Sequence, residues 1–322
     1  MPPVASTESL DITRSSSPLV RSRLTGRLAY GITFAAAAAT VAIACLLAYE
    51  LWMNSAPSRL KFGWSFLWNR TWDPIADRFG ALPFIFGTVE TSAIALLIAV
   101  PLGLGAAIFL AELAPPRVSD ALTFCIELLA AVPSVVYGLI GIFALIPLLR
   151  SIIDPLQPVI GWLPVFSGTF YGVSILSAGV LLAIMVAPFI ISISREVLLA
   201  VPRDLREGAL ALGATKWEST WQVVIPFARS GIAGSIFLAL ARALGETMAV
   251  TMVIGNTPKI QTSILAPGYS IAAVIANEFS EATGNVYLSS LIELGLVLFA
   301  LTIVINALAR ILIAATTAKG AA

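Results

Sequence analysis

Long apolar runs alternate with short polar segments along most of this chain. A helix that crosses a bilayer needs about 20 mostly apolar residues. Six runs meet that length, near 28–53, 84–111, 121–149, 171–200, 227–255 and 286–316. Several exceed the minimum, which leaves room for tilt. The pattern predicts an all-α integral membrane protein with six transmembrane helices. Residues 1–27 are polar, rich in Ser, Pro and Arg, and lack a hydrophobic period, so a disordered tail is expected there. The run after them is longer than a signal-peptide core of about 7–15 residues and reads as an uncleaved first span. The expected organisation is this tail, a first span with an extracytoplasmic segment over 28–83, a transmembrane core over 84–316, and a short tail over 317–322.

The connection between the fourth and fifth runs breaks the pattern, being neither a polar linker nor a span. Pro202 interrupts the chain. Asp204 is placed to cap a helix with Glu207 three residues on, as in a capping box, and Leu205, Ala209 and Leu212 recur at helical spacing. Gly213 ends that helix, a second amphipathic turn starts near Lys216, and Pro226 stands where a first-turn proline loses no hydrogen bond. The segment over 201–226 predicts two short helices joined by a glycine turn. The outer segment after the first run holds Trp64, Trp68 and Trp72, expected in the headgroup layer. The segments at 150–170 and 256–285 are long enough for turns or half-helices only.

Composition narrows the function. Hydrophobic residues make up 58% of the 322 and charged ones 11%, against about 25% charged in soluble domains. A net charge of +1 gives no field that would favour nucleic acid. No histidine is present, which removes the commonest metal ligand and proton shuttle, and no metal site or catalytic residue is expected. Cys45 and Cys125 sit in apolar runs and read as small buried hydrophobes. With the N-terminus placed inside, twelve Lys and Arg fall on inner segments and six on outer ones, so both termini are expected in the cytoplasm.

Arg242 and Glu246 are the charges that the pattern does not explain. On one continuous helix they would lie about 40° apart on one face. A charge at mid-bilayer costs on the order of 2.5–3.5 kcal/mol, so such residues are functional candidates by default. A pair that merely fixes packing is the structural alternative. Guanidinium suits an oxyanion, with a fork of donors for two oxygens, and Glu246 would temper its hold. Thr247, Thr251, Ser134 and Tyr137 are further polar candidates for a substrate pathway. Glu90 and Glu112 read as span-end residues, Glu127 as one near the start of the third span that faces the cytoplasmic vestibule, and Glu293, in the first part of the sixth, has room to pair across the bundle but no specific role.

The loop also carries a family pattern. Glu207-Gly208-Ala209, three residues, Gly213, nine residues and Val223-Val224-Ile225-Pro226 resemble the Glu-Ala-Ala, Gly, Ile-x-Leu-Pro motif of ABC importer permeases, with Gly208 in place of an alanine. The blocks at 79–115, 126–145 and 242–256 resemble the phosphate-specific permeases of the PstC type. The resemblance implies a type I importer permease (MetI-like) fold in a bacterial plasma membrane and a role in moving inorganic phosphate. It implies that an ATPase receives the loop from Glu207 through Lys216, and that Arg242 and Glu246 take part in transport. No P-loop sequence occurs in the chain, so ATP and magnesium would bind the partner and no cofactor this chain. The implied partners are a related permease of the PstA type, two ATPase subunits of the PstB type and an extracytoplasmic phosphate-binding protein of the PstS type, with lipid around the bundle. A permease for sulfate or molybdate, or a carrier working alone, are the alternatives.

Overall fold

The computed structural model describes residues 18–318, with side chains described for 29–311. Most of the expected N-terminal tail and the last residues of the C-terminal one lie outside the described residues. Among the described residues, six helices are long and apolar enough to span a membrane: Ala29–Asn54, Leu82–Leu113, Ser134–Ile160, Ile175–Leu199, Lys216–Gly245 and Asn285–Ile311. They are called spans one to six below. The helix that carries span one starts at Pro18, inside the segment expected to be disordered. Its part up to Glu50 forms one compact unit, and Leu51–Ala322 forms another.

Within the second unit, span four is the most buried of the spans. Small and branched apolar residues line it, and Ala178, Leu181, Leu182, Val186 and Ile190 meet Ala95 and Ala99 of span two and Ala239 and Ala243 of span five in one core. Small residues let helix backbones approach where lipid supplies no hydrophobic drive. A buried Ser194–Ser235 hydroxyl pair, 2.7 Å apart, joins spans four and five. Cys45 and Cys125, expected buried, are free thiols on exposed faces. Apolar positions of a membrane protein face lipid as readily as core, so hydrophobicity alone does not place them.

Two of the expected spans are broken. Residues 121–130 belong to a separate amphipathic helix, Pro116–Ala130, and span three starts only at Ser134 because Pro133 holds an extended backbone (φ −59°, ψ 141°) ahead of it. Span five ends at Gly245; Glu246 is extended (φ −70°, ψ 126°), and a short helix, Met248–Val253, follows. The chain then turns at Gly255 and Asn256 and runs back as irregular backbone to the half-helix Ile271–Glu278. Irregular backbone at membrane depth persists only where protein satisfies it. Here the first N–H groups of span four do so: Ser174, Ile175 and Leu176 donate to the carbonyls of Val253, Ala266 and Ile264 at 3.0, 3.1 and 2.8 Å.

Three π turns, Phe109–Leu113, Gly141–Leu145 and Thr220–Val224, each stand two residues ahead of a proline: Pro115, Pro147 and Pro226. At Pro147 and Pro226 the helix continues, and a widened turn relieves the collision of the proline ring with the carbonyl one turn back; before Pro115 the helix has already ended at the extended Ala114. Pro226 therefore does not open span five. The helical path begins at Lys216 and continues through the π turn past it.

The loop between spans four and five is a helical elbow. Its first helix is Arg203–Ala211. Asp204 does not cap it; Pro202 precedes the helix and makes no side-chain cap, so Asp204 lies in the first turn, where a carboxylate favours the positive helix end. At the other end Gly213 takes φ +88°. Its N–H donates to Leu210 O and that of Ala214 to Ala209 O, at 3.0 and 3.1 Å. This is a Schellman ending, in which the left-handed residue carries no Cβ penalty. The true capping box lies one helix later, between Thr215 and Glu218.

At the opposite end of the second unit, Trp72 is not a headgroup residue. Its ring packs edge-on against Phe79 and Phe84, and its Nε1–H donates to Glu278 at 2.8 Å. Trp64 and Trp68 are exposed, as the expected interfacial positions require. Thr215→Ala removes the capping box at a cost of about 1 kcal/mol. The expected result is faster amide exchange over residues 215–219, with exchange over span four unchanged.

Candidate functional site

Both helix breaks face the same buried cluster. Tyr137 from the start of span three, Ala239 and Ala243 from the end of span five, and Ala249 from the following short helix pack together. The crossing is close. A Cβ at Gly138 would come within 2.3 Å of Met252 Sδ and 3.4 Å of Ala249 Cα, so any larger residue there requires the Met252 side chain to move. The candidates Ser134, Tyr137, Arg242, Glu246 and Thr247 all stand on the segments that border the two breaks.

Arg242 lies in the last turn of span five and is half-buried. Its guanidinium carbon stands 4.4 Å from the centroid of Phe189 on span four. A cation over an aromatic face is held by the ring quadrupole, a contact that strengthens with desolvation. The contact uses no N–H hydrogen bond, and Arg242 Nε is buried without a hydrogen-bond partner. Buried donors left unpaired are rare and call for an explanation.

Glu246 does not supply the missing partner. Helix termination at Gly245 takes it off the face it was expected to share with Arg242, and no ion pair joins the two among the described residues. Its Oε1 instead accepts from Ala249 N at 3.3 Å, at the start of the short helix. Thr247 is the residue before that helix, and its hydroxyl donates to Gly245 O at 3.3 Å. Thr251 donates to Thr247 O at 2.7 Å. Tyr137 is buried, and its hydroxyl donates to Leu129 O across the first break at 2.8 Å. Ser134 opens span three, half-buried, just after Pro133. Phe189 was missed in the sequence because nothing in an apolar span distinguishes a ring that faces a cation from one that faces lipid.

The elbow forms a second, separate group. Leu212 stands at its tip with 92% of its surface exposed, an apolar apex between two helices. Glu207, Gly208 and Ala209 lie on the first helix, and Lys216 begins the second. Trp217 and Trp221 stack at 5.7 Å on the exposed side of the second helix. Glu207 lines a cleft of about 370 Å³ with Glu112 and Arg206. Glu293 makes no ion pair among the described residues; it is buried, and its Oε2 has no hydrogen-bond partner.

The family described as the binding-protein-dependent transport system inner membrane component matches residues 99–317. That region holds the elbow and both breaks. The phosphate transport system permease protein PstC of Mesorhizobium japonicum is 47% identical over 94% of this chain and 95% of its own length. The protein of the same name from Pasteurella multocida is 48% identical over 82% of this chain and 84% of its own. This chain belongs to the PstC family of binding-protein-dependent permeases. Among solved structures, an inward-facing form of the MetNI methionine ABC transporter matches with a TM-score of 0.52 at 16% identity, over 76% of this chain and 99% of that one. That likeness extends to the fold alone, and the fold is that of a type I importer permease. The chain is thus a multi-pass membrane component of an ABC transport complex with other subunits.

Because Arg242 and Glu246 are not paired, a charge-reversed double variant, Arg242→Glu with Glu246→Arg, is expected to melt no higher than Arg242→Glu alone. Thermal unfolding in detergent checks this, and recovery in the double variant would reveal a pair.

Proposed function

We propose that this chain is the membrane permease subunit of an ATP-driven importer of inorganic phosphate in a bacterial plasma membrane, with both termini cytoplasmic. The observation that carries the proposal is Arg242: a half-buried side chain, braced by Phe189, with Nε buried and unpartnered at the junction of two broken helices. Discontinuous helices near the midplane are where transporters of other folds hold their substrates. Phosphate offers several acceptor oxygens and one to two negative charges, which match a forked, permanently charged donor. The names of the 47–48% identical relatives point to the same anion. Thr247 and Ser134 border the same junction as hydroxyl donors. Glu246 stands one residue past the end of span five and supplies the negative field that keeps phosphate from being held too firmly.

Work reaches this junction from the elbow. The ATPase partner receives Glu207 through Lys216, with Leu212 at the tip. The second elbow helix is also the start of span five, so one helical path runs from Lys216 to Gly245, about 45 Å at the usual rise. A push at Lys216 therefore moves the turn that carries Arg242. The complete machine pairs this chain with a related permease of the PstA type, two ATPase subunits of the PstB type, which bind ATP and magnesium, and a phosphate-binding protein of the PstS type on the outer side. This chain itself performs no hydrolysis.

Two variants separate the roles. Arg242→Gln is expected to lower radiolabelled phosphate uptake roughly ten- to a hundredfold, the scale of losing one charge-assisted hydrogen bond of about 1.5–3 kcal/mol, while the assembled complex remains in the membrane. Uptake at the parent rate would remove Arg242 from the pathway. Glu207→Lys is expected to abolish co-purification of the ATPase or its stimulation by substrate. An unaltered complex would place docking elsewhere.

A further inference from the structure

Arg206 bonds to three residues, and none of them is on its own helix. It sits on the first elbow helix. Its Nε and Nη2 grip the Glu112 carboxylate, with Nη2 at 2.8 Å from Oε1 and Nε at 3.2 and 3.3 Å from the two oxygens. The same guanidinium donates to two backbone carbonyls, Val201 O at 2.5 Å through Nη1 and Leu198 O at 2.6 Å through Nη2. The two side chains are mostly buried, with 19% and 11% of their surfaces exposed, so solvent screens the pair little.

The positions of these acceptors matter. Glu112 lies in the π turn that ends span two. A carboxylate there meets the negative end of a helix dipole and is destabilising when alone. Val201 O lies just past the end of span four, and Leu198 O, in its last turn, also accepts from Val201 N at 3.2 Å, so the guanidinium supplies a donor to the first and a second one to the other. Arg206 thus answers two liabilities on two different spans with one rigid, planar group. Close by, Arg195 of span four donates to Ser119 of the amphipathic helix at 3.3 Å, and Ser119 donates to Leu110 O of span two at 2.8 Å, so the ends of these two spans are tied together a second time.

We infer that Arg206 is a positioning residue, a pin that fixes the first elbow helix to the joined ends of spans two and four. It rests on the elbow being the ATPase contact. The elbow then has two outputs. The second helix passes motion along span five by covalent continuity. The first helix shares no helix with the bundle beyond it, and it passes motion to spans two and four through this guanidinium. Without the pin, an ATPase that closes on the elbow swings the first helix while spans two and four stay behind. Hydrolysis continues and transport does not.

The test uses the complete transporter in lipid nanodiscs and proteoliposomes, with Arg206→Met, Glu112→Gln, and the swap of Glu112→Arg with Arg206→Glu. Three quantities are read: co-purified ATPase, phosphate moved per ATP hydrolysed, and amide exchange over residues 203–211 in the permease without ATPase. For Arg206→Met the expected result is unchanged ATPase association, a fall of about tenfold in phosphate per ATP, within the common range of coupling between sites, and faster exchange over 203–211. Glu112→Gln keeps the carbonyl contacts and is expected to shift both quantities the same way by less. The swap restores the ion pair, but glutamate cannot donate to Leu198 O and Val201 O, so only partial recovery is expected.

A parent phosphate-to-ATP ratio in both single variants overturns the pin. So does loss of the ATPase in Arg206→Met, because Arg206 would then serve docking and not transmission. Should the elbow not be the ATPase contact, Glu207→Lys would leave association intact. In that case the exchange measurement still decides whether Arg206 holds the helix, since it needs no ATPase.

Discussion

In hydrocarbon a backbone N–H or C=O without a partner is costly, and this single constraint arranges the second unit. It confines broken helices to places where other protein segments supply the missing partners. The chain breaks at Ala131 to Pro133 and again at Glu246, and both breaks face one core. The irregular segment after span five is tolerated because its carbonyls take the first N–H groups of span four. Each segment completes the other, so neither moves alone. The polar residues that border the breaks gain a place in the bilayer that a continuous helix does not offer, and Arg242 is the charge among them.

The same constraint organises the elbow end. Spans two and four finish close together, with buried carbonyls at the end of one and an acid at the end of the other, a helix end that disfavours it. A guanidinium from the elbow supplies donors to both. The elbow is therefore joined to the bundle in two ways: by an unbroken helix into span five, and by a polar knot onto spans two and four. A transporter driven from outside the membrane needs stiffness along that route and freedom elsewhere. The π turns ahead of Pro115 and Pro226 lie at the edges of this knot; the first ends span two, and the second departs from regular geometry without losing the helical path.

Much of this was legible in the sequence. Apolar runs of sufficient length counted six spans, since hydropathy over about 20 residues is a strong signal, although the third lies at Ser134–Ile160 and takes in the first part of the expected outer segment 150–170. The spacing from Glu207 to Pro226 identified the elbow, and Gly213 its turn. The breaks were not read, because an apolar run looks the same whether or not its helix is continuous. The signals were nonetheless present: Pro133 restricts the residue ahead of it, and Gly245 followed by two polar residues is a helix ending. Reading through Gly245 produced the expected Arg242–Glu246 face, which helix termination dissolves. Phe189 and the Glu112–Arg206 pair were out of reach, since both join residues distant in sequence and nothing local marks them. Asp204 misled because its spacing to Glu207 imitates the box that Thr215 and Glu218 form.

The central claim is that Arg242 meets the transported anion directly. The most direct measurement is a phosphorus-to-guanidinium distance in the assembled, phosphate-loaded transporter, by solid-state recoupling between phosphate and nitrogen-labelled arginine, with Arg242→Gln identifying the signal. The account predicts a contact that corresponds to charge-assisted hydrogen bonds of about 2.7–2.9 Å and vanishes in that variant. A phosphate contact that survives Arg242→Gln unchanged would contradict it.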